Sequence, residues 1–129
     1  MSTETTPAPV FRYAAVTLDC ADPAELARFY GDMFGLAVTY STDDFVFLGG
    51  ADGTAGLGFT RVADYRPPTW PDPAQGKQAH IEVGVDDLET AEAHLLKLGA
   101  TKPVHQPQPD RWRVLLDPAG HPFCITTLV

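Results

Sequence analysis

Two residues with chemical capacity stand close together in the stretch KQAHIEVGVDDLETAEAHLLKLGA, residues 77–100: His80 and Glu82. Their spacing of two puts both side chains on one face if the segment is a strand. A neutral imidazole donates and accepts near neutral pH, and a carboxylate beside it can orient it. The pair therefore has three readings: part of a metal site, an acid/base couple or hydrogen-bonding clamp, or two polar groups satisfied by neighbours and water. Cys20 and Cys124 are far apart and outside any CxxC spacing. They read as buried free thiols rather than a zinc knuckle or a disulfide. His94 reads as a surface or dimer-edge residue of a helix, and His105 and His121 as exposed loop residues.

The elements that must position these groups repeat. AVTLDCAD (15–22) aligns with HIEVGVDD (80–87), matching Val16 to Ile81, Leu18 to Val83, Cys20 to Val85 and Asp22 to Asp87. Apolar residues at every second position are a strand pattern. Each strand runs into a helix. DPAELARFYGDMFG offers Asp22 as N-cap, Pro23 in the first turn and Gly35 as stop, with Leu26, Phe29, Tyr30, Met33 and Phe34 on one stripe. DDLETAEAHLLKLG offers Asp86 with Glu89, a stripe of Leu88, Ala91, Leu95 and Leu98, and Gly99 as stop. A β-rich tail follows each helix: LAVTY, DFVFLGG and GLGFTRV in the first copy, TKPVH, RWRVLLD and PFCITTLV in the second. The predicted order is strand, helix, strand, strand, strand, twice, an α+β fold. Between the copies, ADYRPPTWPDPAQG holds four prolines and reads as a crossover loop.

The 129 residues suffice for one domain. We expect a flexible tail at 1–9 and a single domain at 10–129, with module one at about 10–62, the crossover at 63–76 and module two at 77–129. A net charge of −8, from 17 acidic and 9 scattered basic residues, argues against nucleic-acid binding. The longest apolar runs span a few residues, far below the roughly 20 of a membrane helix. The start MSTETTPAPV lacks the basic and apolar blocks of a signal peptide, so the expected location is cytoplasmic.

The doubled strand–helix unit, the HIEVGVDDLETAEAHLLKLGA segment and the closing LLDPAGHPFCI together resemble the vicinal oxygen chelate superfamily of glyoxalase I, bleomycin-resistance proteins and extradiol dioxygenases. The closing segment is similar to the family's Asp-Pro-x-Gly-Asn turn and last strand, with His121 in place of Asn. The resemblance implies two βαβββ modules forming a cupped mixed sheet with helices on the convex side. It also implies pairing into a homodimer. Catalytic members hold a divalent metal on the concave face, and the matching positions here are Ala15, about Leu57, His80 and Cys124. Ala15 and Leu57 offer no donor atom. Cys124 could join His80, with Glu82 or Asp19 in support, but the expectation is that the metal is lost and that no cofactor is needed.

If His80 faces the cup, parity brings Glu82 with it, and the repeat brings Ala15, Thr17 and Asp19. Phe59 would join Leu57, and Thr126 would join Cys124. Aromatic residues complete the expected pocket: Trp70 of the crossover, which caps the pocket or packs the loop, and Trp112 between Arg111 and Arg113. Phe45 and Phe47 are either core or pocket. The expected ligand-binding set is Thr17, Asp19, Leu57, Phe59, Trp70, His80, Glu82, Trp112 and Cys124, for a small organic ligand. The leading expectation is a metal-independent small-molecule-binding protein that sequesters an aromatic or antibiotic-like compound. The alternatives are a glyoxalase-like lyase or isomerase or a dioxygenase-type enzyme, using His80 and Glu82 as catalytic pair or an atypical metal site, and a regulatory domain with a filled cup.

Overall fold

The structure, a computed structural model, describes residues 8–10, 13–49, 55–70 and 79–127. The tail to residue 7, the second half of the crossover, 71–76, and the first two residues of module two, 77–78, lie outside the described residues. Chain order is β1 (Ala15–Cys20), α1 (Pro23–Phe34), β2 (Val38–Ser41), β3 (Phe45–Leu48), β4 (Gly56–Arg61), β5 (Ile81–Gly84), α2 (Leu88–Leu98), β6 (Trp112–Leu116) and β7 (Pro122–Thr126).

Local signals start and stop the helices. The Asp22 carboxylate accepts from the backbone N–H of Glu25, Pro23 occupies the first turn, and Gly35 ends α1 in the left-handed region at φ 68°. The cap of α2 is Asp87, one residue later than expected, and it accepts from the N–H of Thr90 at 2.8 Å. Asp87 wins because the helix begins at Leu88, and the cap must directly precede it.

The strands form two mixed sheets, ordered β1-β4-β3-β2 and β5-β7-β6. In each module the first strand pairs parallel with the last, β1 with β4 and β5 with β7. That shared pairing is the repeat made visible. The copies differ in one element: TKPVH, expected as a strand, contributes one bridge from Thr101 to Leu116. Pro103 removes an N–H and Val104 is fully exposed, so the segment cannot run as a ladder. The Gln106 side chain stands in for the missing strand. Its amide accepts from the Val114 N–H and donates to the Val114 carbonyl, both at 2.9 Å, satisfying the edge of β6.

Both helices pack on one face of the sheets, and one core joins the modules. Tyr30 of α1 stacks on Phe59 of β4 at 5.6 Å and meets Phe123 of β7 edge-on at 6.3 Å, while Phe29 lies 5.9 Å from Phe123. Each such fully buried side chain contributes about 1.5–3 kcal/mol.

Polar bonds close the junction. Tyr30 donates to the Asp117 carboxylate at 2.6 Å, and the other Asp117 oxygen accepts from the N–H groups of Ala119 and His121. The crossover loop docks on this turn: Tyr65 donates to the Ala119 carbonyl at 2.7 Å. Gly120 has φ 87°, and a Cβ there would fall 2.6 Å from Pro67. His121 is therefore half-buried at the junction rather than exposed, with Nε2 against the Asp19 carbonyl and the Tyr65 hydroxyl. A carbonyl oxygen only accepts, so Nε2 carries the proton. His94 and His105 are exposed.

Candidate functional site

Module two assembles the site from the register of its strands. His80 immediately precedes β5 and Glu82 follows it by two, so both look to the face away from the helices. Glu82 lies opposite Cys124 of β7, which places the thiol beside them. On β6, Trp112 lies opposite Thr126, two positions along from the Val114–Cys124 pair, and so shares that face. The neighbouring Arg113 points the other way, to Glu89 and Glu92 of α2 at 2.8 and 3.2 Å. Trp70 arrives from the crossover loop. Its ring stacks against His80 at 5.4 Å and against Trp112 at 6.4 Å with planes 14° apart.

Trp70, His80, Glu82, Trp112 and Cys124 therefore come together on module two. His80 Nε2 lies 2.7 Å from a Glu82 carboxylate oxygen, with the imidazole mostly covered and the carboxylate 57% exposed. An ionised carboxylate only accepts, so Nε2 donates and a neutral ring keeps its lone pair on Nδ1. Cys124 is buried at 1% exposure. The arrangement can orient an imidazole, accept a donor or cation at Glu82 and place flat faces against a flat ligand.

Module one presents a different face. Thr17 and Asp19 lie on its cup side, exposed, and among the described residues neither side chain hydrogen-bonds to the His80 group. Leu57 and Phe59 do not join them. The register sets Ala15 against Gly56 and Thr17 against Gly58, so strand alternation turns Leu57 and Phe59 to the helix side. Phe59 is wholly buried on Tyr30. Leu57 lines an apolar cleft with Val16, Phe34 and Leu36. The cup side of β4 begins with Gly56 and Gly58, over which Phe45 and Phe47 lie 6.3 Å apart. A Cβ at Gly58 would meet Thr17 Oγ1 at 2.8 Å and the Phe45 ring at 3.0 Å, and one at Gly56 would meet the Phe47 ring at 2.6 Å. The two glycines in AGLGF carry this signal, since glycine at alternate strand positions marks a close approach from one side.

The repeat makes Thr17–Gly58 the counterpart of Glu82–Cys124. The metal position expected near Leu57 is thus Gly58. A cross-module metal site of the family's kind does not fit this chain, because Ala15 and Gly58 supply no donor. Among the described residues, a site confined to module two is the remaining arrangement. Donor atoms of His80, Glu82 and Cys124 lie within 4.8 Å of one another, and nitrogen, oxygen and thiolate donors suit a borderline ion such as zinc. An ion there would have to replace the 2.7 Å His80–Glu82 hydrogen bond. That bond is shorter than the spacing of two ligands around one ion, roughly 3.4 Å for tetrahedral ligands at about 2.1 Å.

Burial shapes the surrounding ionisable groups. Cys20 lies in the core, its thiol pushed up to about 11 chiefly by desolvation. Burial likewise raises the Tyr30 and Tyr65 hydroxyls and the Asp117 carboxyl. These groups belong to the junction and not to the cup.

Known proteins share this architecture. A solved glyoxalase/bleomycin resistance protein/dioxygenase family enzyme from Burkholderia phytofirmans PsJN superposes with a TM-score of 0.65 at 20% identity, covering 92% of this chain and 100% of its own. The trypanothione-dependent glyoxalase I of Leishmania major gives 0.63 at 22% identity, over 91% and 86%. The fosfomycin resistance protein FosX of Listeria monocytogenes, solved as a point mutant with Mn(II) and 1S,2S-dihydroxypropylphosphonic acid, gives 0.67 at 15%, over 92% and 91%. At these identities the likeness is one of fold. No curated protein matches the chain. The sequence model of the glyoxalase-like domain matches residues 15–126, nearly the whole chain, and the protein belongs to that family, within the vicinal oxygen chelate fold.

Proposed function

We propose that this chain is a small-molecule-binding protein that holds a planar aromatic compound on the module-two side of its cup and works without a metal. The observation that carries this is the convergence of the Trp70, His80 and Trp112 rings beside Glu82, in a chain whose module-one donor positions are Ala15 and Gly58. Flat rings stack at little entropic cost, and an exposed carboxylate beside them favours a ligand with an amine or other donor. Sequestration of a toxic compound fits such a site, since it needs binding and no chemistry. Fosfomycin resistance proteins share the fold, which supports a resistance role in the broad sense, although FosX of Listeria monocytogenes is solved with Mn(II).

A panel of planar aromatic amines titrated against tryptophan fluorescence tests it. Saturable quenching with Kd below about 1 mM, weakened about tenfold in Trp112→Ala, is expected. A flat response across the panel would rule the reading out.

The second reading is a metal centre on His80, Glu82 and Cys124, favoured by the closeness of their donor atoms. Metal analysis of protein purified without chelators separates the two. A stoichiometric divalent ion that disappears in His80→Ala would move the chain to the enzymatic side of its family. In both readings the domain spans residues 10–129, acts in the cytoplasm and pairs into a homodimer, which light scattering coupled to size-exclusion chromatography checks. Among the described residues no helix is long and apolar enough to cross a membrane.

A further inference from the structure

β1 and β5 are the facing edges of the two sheets and do not pair with each other. A cavity of about 120 Å³ opens at this seam, walled by Val16 and Leu18 from module one and by Ile81 and Pro122 from module two, and reaching Tyr30 of α1. Val16 and Ile81 are equivalent residues in the repeat, so the two copies meet here through the same position.

Three polar atoms at this cavity are engaged elsewhere. Tyr30 gives its hydroxyl to Asp117, His121 turns Nε2 to the Asp19 carbonyl, and His80 turns Nε2 to Glu82. The rest of the wall is mainly apolar, from Val16, Leu18, Ile81 and Pro122, and binds water poorly because water needs two or more polar partners. An apolar cavity of about 150 Å³ stays dry and takes benzene. The seam is slightly smaller and fits a single ring or a branched alkyl group. Val16 is 38% exposed although its side of β1 faces the helices, as expected for a wall of an open cavity.

His80 borders this cavity and also stacks on Trp70 in the cup. We propose that the seam is an apolar subsite of the cup: the ligand is bipartite, with a planar part against Trp112 and a compact apolar group inserted between the modules, the two joining beside His80. This rests on the cup's being a ligand site, but the seam is measured separately from it.

Benzene is read at the seam through its aliphatic methyls, indole at the cup through the Trp112 ring N–H, and 3-benzylindole at both. With the full chain, benzene should shift the methyl resonances of Val16, Leu18 and Ile81 saturably and leave those of Leu48 in place. Indole should shift the Trp112 ring N–H resonance equally in wild type and in Val16→Phe, which fills the seam at a part-exposed position. 3-Benzylindole should bind the wild type at least tenfold tighter than indole and lose that gain in Val16→Phe. Should Val16→Phe fail to fold, the benzene titration of the wild type decides. A benzene shift that is absent, or spread equally over Leu48, overturns the subsite. A gain for 3-benzylindole that survives Val16→Phe also overturns it. Saturable benzene binding with no response of Trp112 to indole removes the cup reading and with it the bipartite ligand.

Discussion

The cup faces of the two modules are built on the same strand pairing, first strand parallel to last, yet they carry unlike surfaces. In module two, His80, Glu82 and Cys124 occupy the face and two tryptophans stand over or beside them. In module one the corresponding positions are Ala15, Thr17 and Gly58, and the rings of Phe45 and Phe47 fill the space that larger side chains would need. Aromatic groups thus serve opposite ends in the two halves. On module one they replace missing side chains, and on module two they frame polar ones. A duplicated fold with one chemically furnished half is suited to holding a ligand by one wall while the other supplies shape.

This contrast can be attacked at several points. Refilling module one should be the costliest. At Gly56 a Cβ would sit 2.5 Å from the Leu48 carbonyl oxygen, an atom of backbone, so Gly56→Ala should destabilise by about 3 kcal/mol in urea denaturation, the upper end for overpacking. Cys124→Ser on module two, which adds no volume, should cost less. Next is the bond between the halves: Tyr30→Phe removes the donor that faces a buried carboxylate and should cost about 2 kcal/mol in the same measurement. Trp112→Ala should weaken binding of a planar amine about tenfold, roughly 1.4 kcal/mol, by fluorescence titration. Phe45→Leu on module one should change that affinity by less than about twofold; a comparable loss there would erase the asymmetry.

The pH response of the junction gives a smaller signal. Burial holds the Asp117 carboxyl above its ordinary 3.8 in the folded chain. Between that value and its folded one the native state binds more protons than the unfolded state. Stability contributed by this group therefore falls as pH rises through the window, and the penalty is complete above it. Asp117→Asn cannot titrate, so its stability should vary less across the window than the wild type's in urea melts at stepped pH.

Much of this is legible in the chain. The alternation in AVTLDCAD and HIEVGVDD, the Asp-Pro cap and the glycine stops are local signals, and both helices and both first strands form where those signals lie. His80, Glu82 and Cys124 share a face because strand parity and the repeat require it. The differences have local and nonlocal causes. TKPVH reads as a strand by analogy with its copy, but Pro103 and the Gln106 side chain settle that edge differently. His121 reads as exposed because its partners, Asp19 and Tyr65, are remote in sequence.

Leu57 and Phe59 show the limit most clearly. Alternation shows that residues 56, 58 and 60 oppose 57 and 59, but the pattern GLGFT does not say which set faces the helix. Glycine hides its side, and the choice falls to the pairing of Thr17 with Gly58 and to the stack of Phe59 on Tyr30. The amino-acid sequence by itself determined the repeat, its helices and the polar pair at His80, because these follow from spacing along one segment. Tertiary structure alone decided that the Phe45 and Phe47 rings lie over the module-one glycines, where Trp70 comes to rest and that a cavity opens between Val16 and Ile81, because each depends on segments meeting that are distant along the chain.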